Sequence, residues 1–165
     1  KHVLSFIMSE ILTLIILTLM PFLELRASIP YGVFATNLSW PLIFIICVGV
    51  NIILAPLVYF FYAELINVFR KINLIDHLYQ KIVVRTQKKV NKYVEKYGVY
   101  GLAIFIGIPL PGSGVYSGAL AAELLGFRKR DFFKAAVIGV IIAGTIVLVV
   151  STLGNGALEL FLKKV

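Results

Sequence analysis

Apolar positions along this chain come in long runs divided by short polar breaks, and no Asp, Glu, Lys, Arg or His lies between Arg26 and Glu64, Lys96 and Glu123, or Lys134 and Glu159. A helix needs roughly 20 residues to cross about 30 Å of hydrocarbon, and each run is long enough. The pattern predicts an all-α polytopic membrane protein built as a single membrane domain over 1–165. Val3 to Met20 is apolar apart from Glu10 and stops at Pro21, whose ring cannot continue a regular helix. A break follows from Pro21 to Pro30, then a short apolar piece from Tyr31 to Leu38. Trp40 and Pro41 mark an interfacial start for a full span to about Tyr62, with a kink at Pro56.

From Ala63 to Tyr97 the periodicity becomes amphipathic. Ile75, Tyr79, Ile82, Thr86, Val90, Tyr93 and Tyr97 recur at spacings of three and four, while Lys81, Arg85, Lys88, Lys92 and Lys96 form a separate basic stripe. Such a helix can lie on a bilayer with its tyrosines inward and its lysines towards lipid phosphates. A solvated basic face packing against a partner is the alternative. Gly98 to Gly126 is apolar again, but Ile108-Pro109-Leu110-Pro111-Gly112-Ser113-Gly114 near its middle cannot be regular helix.

Basic clusters flank that segment, ending at Lys96 on one side and formed by Arg128-Lys129-Arg130 on the other. The positive-inside rule places both ends in the cytoplasm, so the segment returns to the side it left. This predicts a re-entrant hairpin: a half-helix to about Ile108, the Pro-Gly break at mid-depth, and a second half-helix from about Val115 to Leu125. Eleven helical residues rise only about 16 Å, which reaches the bilayer centre. A last span is expected from about Phe132 to Ser151, then a short polar tail from Gly154. The halves thus share one plan in opposite orientation, an inverted repeat of re-entrant helical hairpin plus transmembrane helix, joined by the basic amphipathic helix. The boundaries are 1–62 for the first repeat, 63–97 for the cytoplasmic basic helix, 98–151 for the second repeat and 152–165 for the tail. Val3 to Met20, about 27 Å of helix, is also long enough to cross fully, which would spoil the strict symmetry.

Composition agrees with a membrane class: 60% of residues are hydrophobic and only 15% charged, against roughly 25% in soluble domains. Eight of the 16 basic residues lie between Arg70 and Lys96, so the net charge of +8 reads as a cytoplasmic loop on anionic lipid and not as a nucleic-acid surface. The single cysteine, Cys47, excludes disulfide frameworks and CxxC metal or redox sites. The first twenty residues show no small-residue cleavage pattern before Pro21 and are read as part of the fold.

Candidate chemistry concentrates at the two breaks. Irregular backbone at membrane depth is tolerated where protein or a water-filled cavity satisfies it, so facing breaks would make a cavity. Helices restarting after Pro30 and Pro111 would begin near Ser28 and Ser113, both able to cap free amides. Their positive ends, with Arg26, would favour an anionic phosphate or carboxylate. Glu24, a carboxyl at low dielectric, is the candidate for binding and releasing a proton, with pairing to Arg26 at the membrane surface as the alternative. Pro30, Pro109, Pro111, Gly112 and Gly114 complete the candidate substrate-binding and proton-coupling site, with the Pro-Gly break at 109–114 as its flexible element. No enzyme is expected: Gly112-Ser113-Gly114 has no base within reach, since the histidines are His2 and His77, and HExxH, P-loop and dinucleotide motifs are absent. No cofactor or metal is called for.

Two motifs carry a family likeness. Glu24-Leu25-Arg26-Ala27-Ser28-Ile29-Pro30-Tyr31-Gly32 and Pro109-Leu110-Pro111-Gly112-Ser113-Gly114-Val115-Tyr116-Ser117-Gly118-Ala119-Leu120, in this order, resemble the putative small multidrug export proteins, a branch related to the DedA (VTT, SNARE-associated) membrane proteins. The likeness runs from about Phe22 to Gly139. It implies two opposed re-entrant segments and, for the wider superfamily, lipid movement across bilayers, including phospholipid scrambling and polyprenyl-phosphate recycling. The narrower branch implies drug efflux by its name. In DedA proteins an arginine accompanies the second break, whereas here Arg26 is the only basic residue near either. The expectation is a cell-membrane, multi-pass transporter or scramblase for an anionic phospholipid or polyprenyl phosphate, coupled to protons, with a homodimer as an allowed assembly. Efflux of small amphipathic cations, with Glu24 as counter-ion, and a non-transporting assembly factor are the alternatives.

Overall fold

The computed structural model describes the backbone of residues 2–21, 23–70, 97–110 and 113–162, and the side chains of 5–21, 23–68, 97–110 and 113–154. Among these residues there are six helices and no strand: α1 (His2–Leu19), α2 (Glu24–Ala35), α3 (Trp40–Arg70), α4 (Tyr97–Gly107), α5 (Val115–Leu125) and α6 (Lys129–Leu162). Length sorts them into two kinds. The apolar stretches Trp40–Val68 and Lys129–Gly154 in α3 and α6 are long enough to cross a membrane. The 12 residues of α2 and 11 of α5 rise about 16 to 18 Å and cannot cross it.

Small side chains let these helices approach closely, which matters because lipid tails give apolar helices little hydrophobic drive to associate. A Cβ on Gly139 of α6 would lie 2.7 Å from the Ala103 carbonyl oxygen of α4, and one on Gly107 would lie 3.3 Å from the Gly139 oxygen. Gly144 admits Val48 of α3 in the same way, and Gly32 of α2 admits Ile43. Around these crossings the core is built of Ile29, Cys47, Ile106, Val115, Ala119, Phe132, Ala136 and Val140. Near one end of the α3–α6 contact, Tyr59 stacks on Phe132 at 4.9 Å between centroids. Phe6, Ile45, Ile53, Phe61, Ile104 and Val150 stay exposed, an apolar exterior suited to hydrocarbon.

Three boundaries differ from the sequence reading. Pro30 lies inside α2, which starts at Glu24, so Ser28 and Pro30 belong to a helix body and the first break ends before Glu24, not at Pro30. Pro30 lacks only the N–H that would have bonded the Arg26 carbonyl, a loss one short helix can absorb. Helix α3 continues past Tyr62 to Arg70, and α6 runs on to Leu162 where a polar tail was expected. The basic stripe Lys81, Arg85, Lys88, Lys92 and Lys96, with Pro111 and Gly112, lies outside the described residues.

Gly139→Ala is expected to destabilise the protein by about 1–3 kcal/mol, because the new methyl meets the Ala103 carbonyl oxygen and the base of the Ile106 side chain, neither of which can swing aside. Gly49→Ala, with nothing within 4 Å of the new Cβ, is expected to be neutral. Thermal unfolding in detergent, comparing the two, checks this.

Candidate functional site

The turn after α1 leaves Glu24 at φ 46° as the first residue of α2. A non-glycine residue in this left-handed region is uncommon and costs about 1–3 kcal/mol unless its surroundings hold it there. What holds it lies on the other half of the chain. The buried Glu24 carboxylate accepts hydrogen bonds from the backbone N–H of Val115 through Oε2 and of Tyr116 through Oε1, each at 3.2 Å. These are among the free amides at the start of α5, whose own N-cap residue, Gly114, makes no side-chain cap. Glu24 is therefore the cap of a helix about ninety residues away, with its charge at the positive end of that helix's dipole.

Gly114 makes this approach possible. It adopts φ 112°, and a Cβ there would stand 2.9 Å from the Glu24 carboxyl carbon, so both conformation and space call for glycine. Tyr116 closes the contact from the other side: its hydroxyl donates to the Leu19 carbonyl oxygen at 2.5 Å. That oxygen is one of the unpaired carbonyls at the end of α1.

Arg26, one residue beyond Leu25 and half-buried, holds the second break. Its Nη1 donates to the Ser113 carbonyl oxygen at 2.7 Å, and Nη2 donates to Ser113 Oγ at 2.8 Å and to the Ile108 carbonyl oxygen at 3.3 Å. Ser113 Oγ in turn lies 2.5 Å from the Ile108 oxygen and 2.9 Å from that of Leu110. A guanidinium suits this task because its planar fork serves several carbonyls while its charge stays fixed. The second break has no basic residue of its own; the first break's arginine serves it.

Glu24, Arg26, Ser113 and Gly114 thus meet in one place, with Pro109 in the loop that Arg26 holds. Ser28 does not join them. It is fully buried one turn along α2, with its Oγ 2.7 Å from Thr18 Oγ1, which donates to the Leu14 oxygen. Neither serine caps a helix as expected: Ser28 is inside one, and Ser113 binds the loop while Glu24 caps in its stead. Glu10 is buried and its Oε1 accepts from the Asn37 amide at 3.4 Å, near the far end of α2. The sequence reading missed Thr18, Tyr116 and Asn51. Asn51 left a signal, being the one carboxamide in the charge-free run from Pro41 to Ala63.

Beside the contact of Glu24 with Val115 and Tyr116 lies a groove of about 650 Å³, lined by Pro21, Leu57, Val58, Phe61, Tyr62, Tyr116, Ser117 and Leu120. Tyr116 belongs to both. Among the described residues no cluster of His, Cys, Asp and Glu could hold a metal ion.

Comparison with known proteins gives one family: the model described as "Putative small multi-drug export protein" matches residues 24–146. No curated protein and no solved structure matches the chain.

Glu24→Ala is expected to leave the buried Val115 amide and the part-buried Tyr116 amide without partners, at about 1–3 kcal/mol for a buried group left unsatisfied. Amide hydrogen exchange should report it as faster exchange at Val115 and Tyr116 with α3 and α6 unchanged. Gly114→Ala should produce the same local signature, since its methyl displaces the Glu24 carboxylate.

Proposed function

Because the chain belongs to the putative small multi-drug export protein family, we infer that it is a membrane transporter whose moving part is the contact between Glu24 and the start of α5. The observation that carries this reading is the carboxylate itself, bonded to Val115 and Tyr116 across the two halves of the chain. Two events would open the contact. Protonation weakens a carboxylate as an acceptor for both amides. An anionic headgroup competes for the same amides, which form an anion site at a helix N-terminus. Proton and anionic substrate therefore act on one bond, the arrangement that coupled transport requires.

The substrate we propose is an amphiphile with a phosphate or carboxylate head, such as an anionic phospholipid or a polyprenyl phosphate. Its head would meet Arg26 and the amides of α5, and its apolar body would lie in the groove at Tyr116. The wider relation to DedA proteins belongs to this proposal, supported by the two motifs and by an arginine at the second break, here supplied by α2. So does the topology, in which α1–α2 and α4–α5 are re-entrant hairpins of opposite orientation and residues 63–97 face the cytoplasm. Its support is the shortness of α2 and α5 together with the basic clusters at both ends of 97–127.

A second reading has its own support. The groove carries the rings of Phe61, Tyr62 and Tyr116, which suit a flat amphipathic cation with Glu24 as counter-ion, and the family's description points to drug export. Proteoliposome flux separates the readings. Arg26→Ala should abolish movement of a phosphate lipid, by tenfold or more, if the substrate is anionic, and should spare or increase movement of an amphipathic cation if it is cationic. Glu24→Gln should flatten the pH dependence of either flux. Absence of flux for both classes in the unmodified protein would leave a non-transporting assembly role.

A further inference from the structure

Asn51 is fully buried in α3, and neither its Nδ2 nor its Oδ1 has a hydrogen-bond partner. Buried carboxamides in native proteins are almost always paired, so an orphan of this kind points to a partner that comes and goes. The packing of α2 on α3 shows what lies opposite. Gly32 meets Ile43, and one turn away the Ser28 hydroxyl meets the Cys47 side chain. The helices are antiparallel, so each step of four residues back along α2 is a step of four forward along α3. The next step sets Glu24 level with Asn51. Asn51 is turned only about 40° from Cys47 around α3, at 100° per residue, which keeps it on the side that faces α2.

We propose that Asn51 is the second partner of the Glu24 carboxyl group, engaged when that group carries a proton. The inference rests on the reading of Glu24 as the proton site. A carboxylic acid and a carboxamide are complementary twice over: the acid O–H donates to Oδ1, and Nδ2–H donates to the acid carbonyl. A carboxylate cannot make the first of these bonds and stays with the two α5 amides. The proton taken up thus moves Glu24 from α5 to α3, and its loss returns Glu24 to α5. The one covalent bond made is the carboxyl O–H, formed with a proton taken from solvent and broken when that proton returns to it; every other change is an exchange of hydrogen bonds.

Among the described residues, few other groups face this carboxyl. Arg26 shares its helix, Tyr116 reaches it from α5 with Tyr62 of α3 alongside. From α1, Glu10 is engaged with Asn37 at the far end of α2, and α6 carries nothing ionisable between Lys134 and Glu159. Arginine and tyrosine do not ordinarily titrate between pH 4 and 8; Glu10 and Glu123 are carboxyls as well, engaged with Asn37 and Tyr59, so the Glu24→Gln variant decides whether a transition in that window belongs to Glu24.

The experiment is amide exchange at Val115 and Tyr116 in the full chain in lipid nanodiscs, followed against pH and corrected for intrinsic exchange. In the unmodified protein, protection of both amides should fall in one step on acidification. Asn51→Leu should move the midpoint of that step about one pH unit lower, a tenfold higher proton concentration, because the protonated form has lost a hydrogen-bonded partner. Asn51→Asp, which sets a like charge opposite, should move it higher. At neutral pH the thermal midpoint of Asn51→Leu should match or exceed that of the unmodified protein, since an unpaired amide has been removed. A midpoint unmoved in Asn51→Leu, or a fall in its neutral-pH stability, overturns the role of Asn51 and leaves the reading of Glu24 standing. A step that persists in Glu24→Gln overturns that reading itself.

Discussion

A helix that begins at a buried position has backbone N–H groups with no water to receive them, and α5, whose first residue Val115 is fully buried, is such a helix. Its first residues are satisfied by one carboxylate brought from the other half of the chain. The left-handed backbone of Glu24, the glycine at 114 and the tyrosine hydroxyl on the end of α1 all follow from that requirement. Each either aims the carboxylate, makes room for it, or fixes the helix it caps. The same turn that strains Glu24 also sets Arg26 within reach of Ser113 and Ile108.

The two charges stabilise each other without direct contact being needed. Glu24 lies on the positive end of α5, and Arg26 lies on carbonyl oxygens of the loop preceding it, so each charge meets the opposite partial charge of the backbone. Taking either away leaves a buried polar group unsatisfied on the other half, which is more costly than the bond itself is favourable. The packing around them is accordingly tight, made by glycine and alanine at the crossings of α6 with α3 and α4. Such interfaces shift between discrete arrangements more readily than they deform.

Much of this was legible in the sequence, and the physical reasons for the gaps are specific. Charge-free runs mark where the apolar helices lie, because water-facing helices do not go so far without charged residues, but only the breaks within a run decide whether its helices are long. The Pro-Gly run at 109–114 marks a break wherever it occurs, since proline removes a donor and glycine tolerates unusual φ. Pro30 misled because one proline in a short helix costs only one hydrogen bond, and the helix continued through it. The expectation that Ser28 and Ser113 would cap failed for a related reason. Capping by serine is a local rule, whereas the cap found comes from a residue about ninety positions away, and no periodicity within either segment encodes that pairing. Asn51 was visible as a lone carboxamide in an apolar run, but its relation to Glu24 depends on the α2–α3 register, which only packing reveals.

The cap's origin in another helix decides what a chemical event at Glu24 can do. Had position 114 been a serine or aspartate, α5 would have satisfied its own first turn and would be indifferent to the state of α2. Glycine there has no side chain to offer, so the start of α5 and the start of α2 share one set of hydrogen bonds. A proton or an anion that alters this set changes the relation between the two halves, not the stability of α5 alone. On the transport reading, that is the difference between a residue that merely binds substrate and one that moves the protein when substrate or proton arrives.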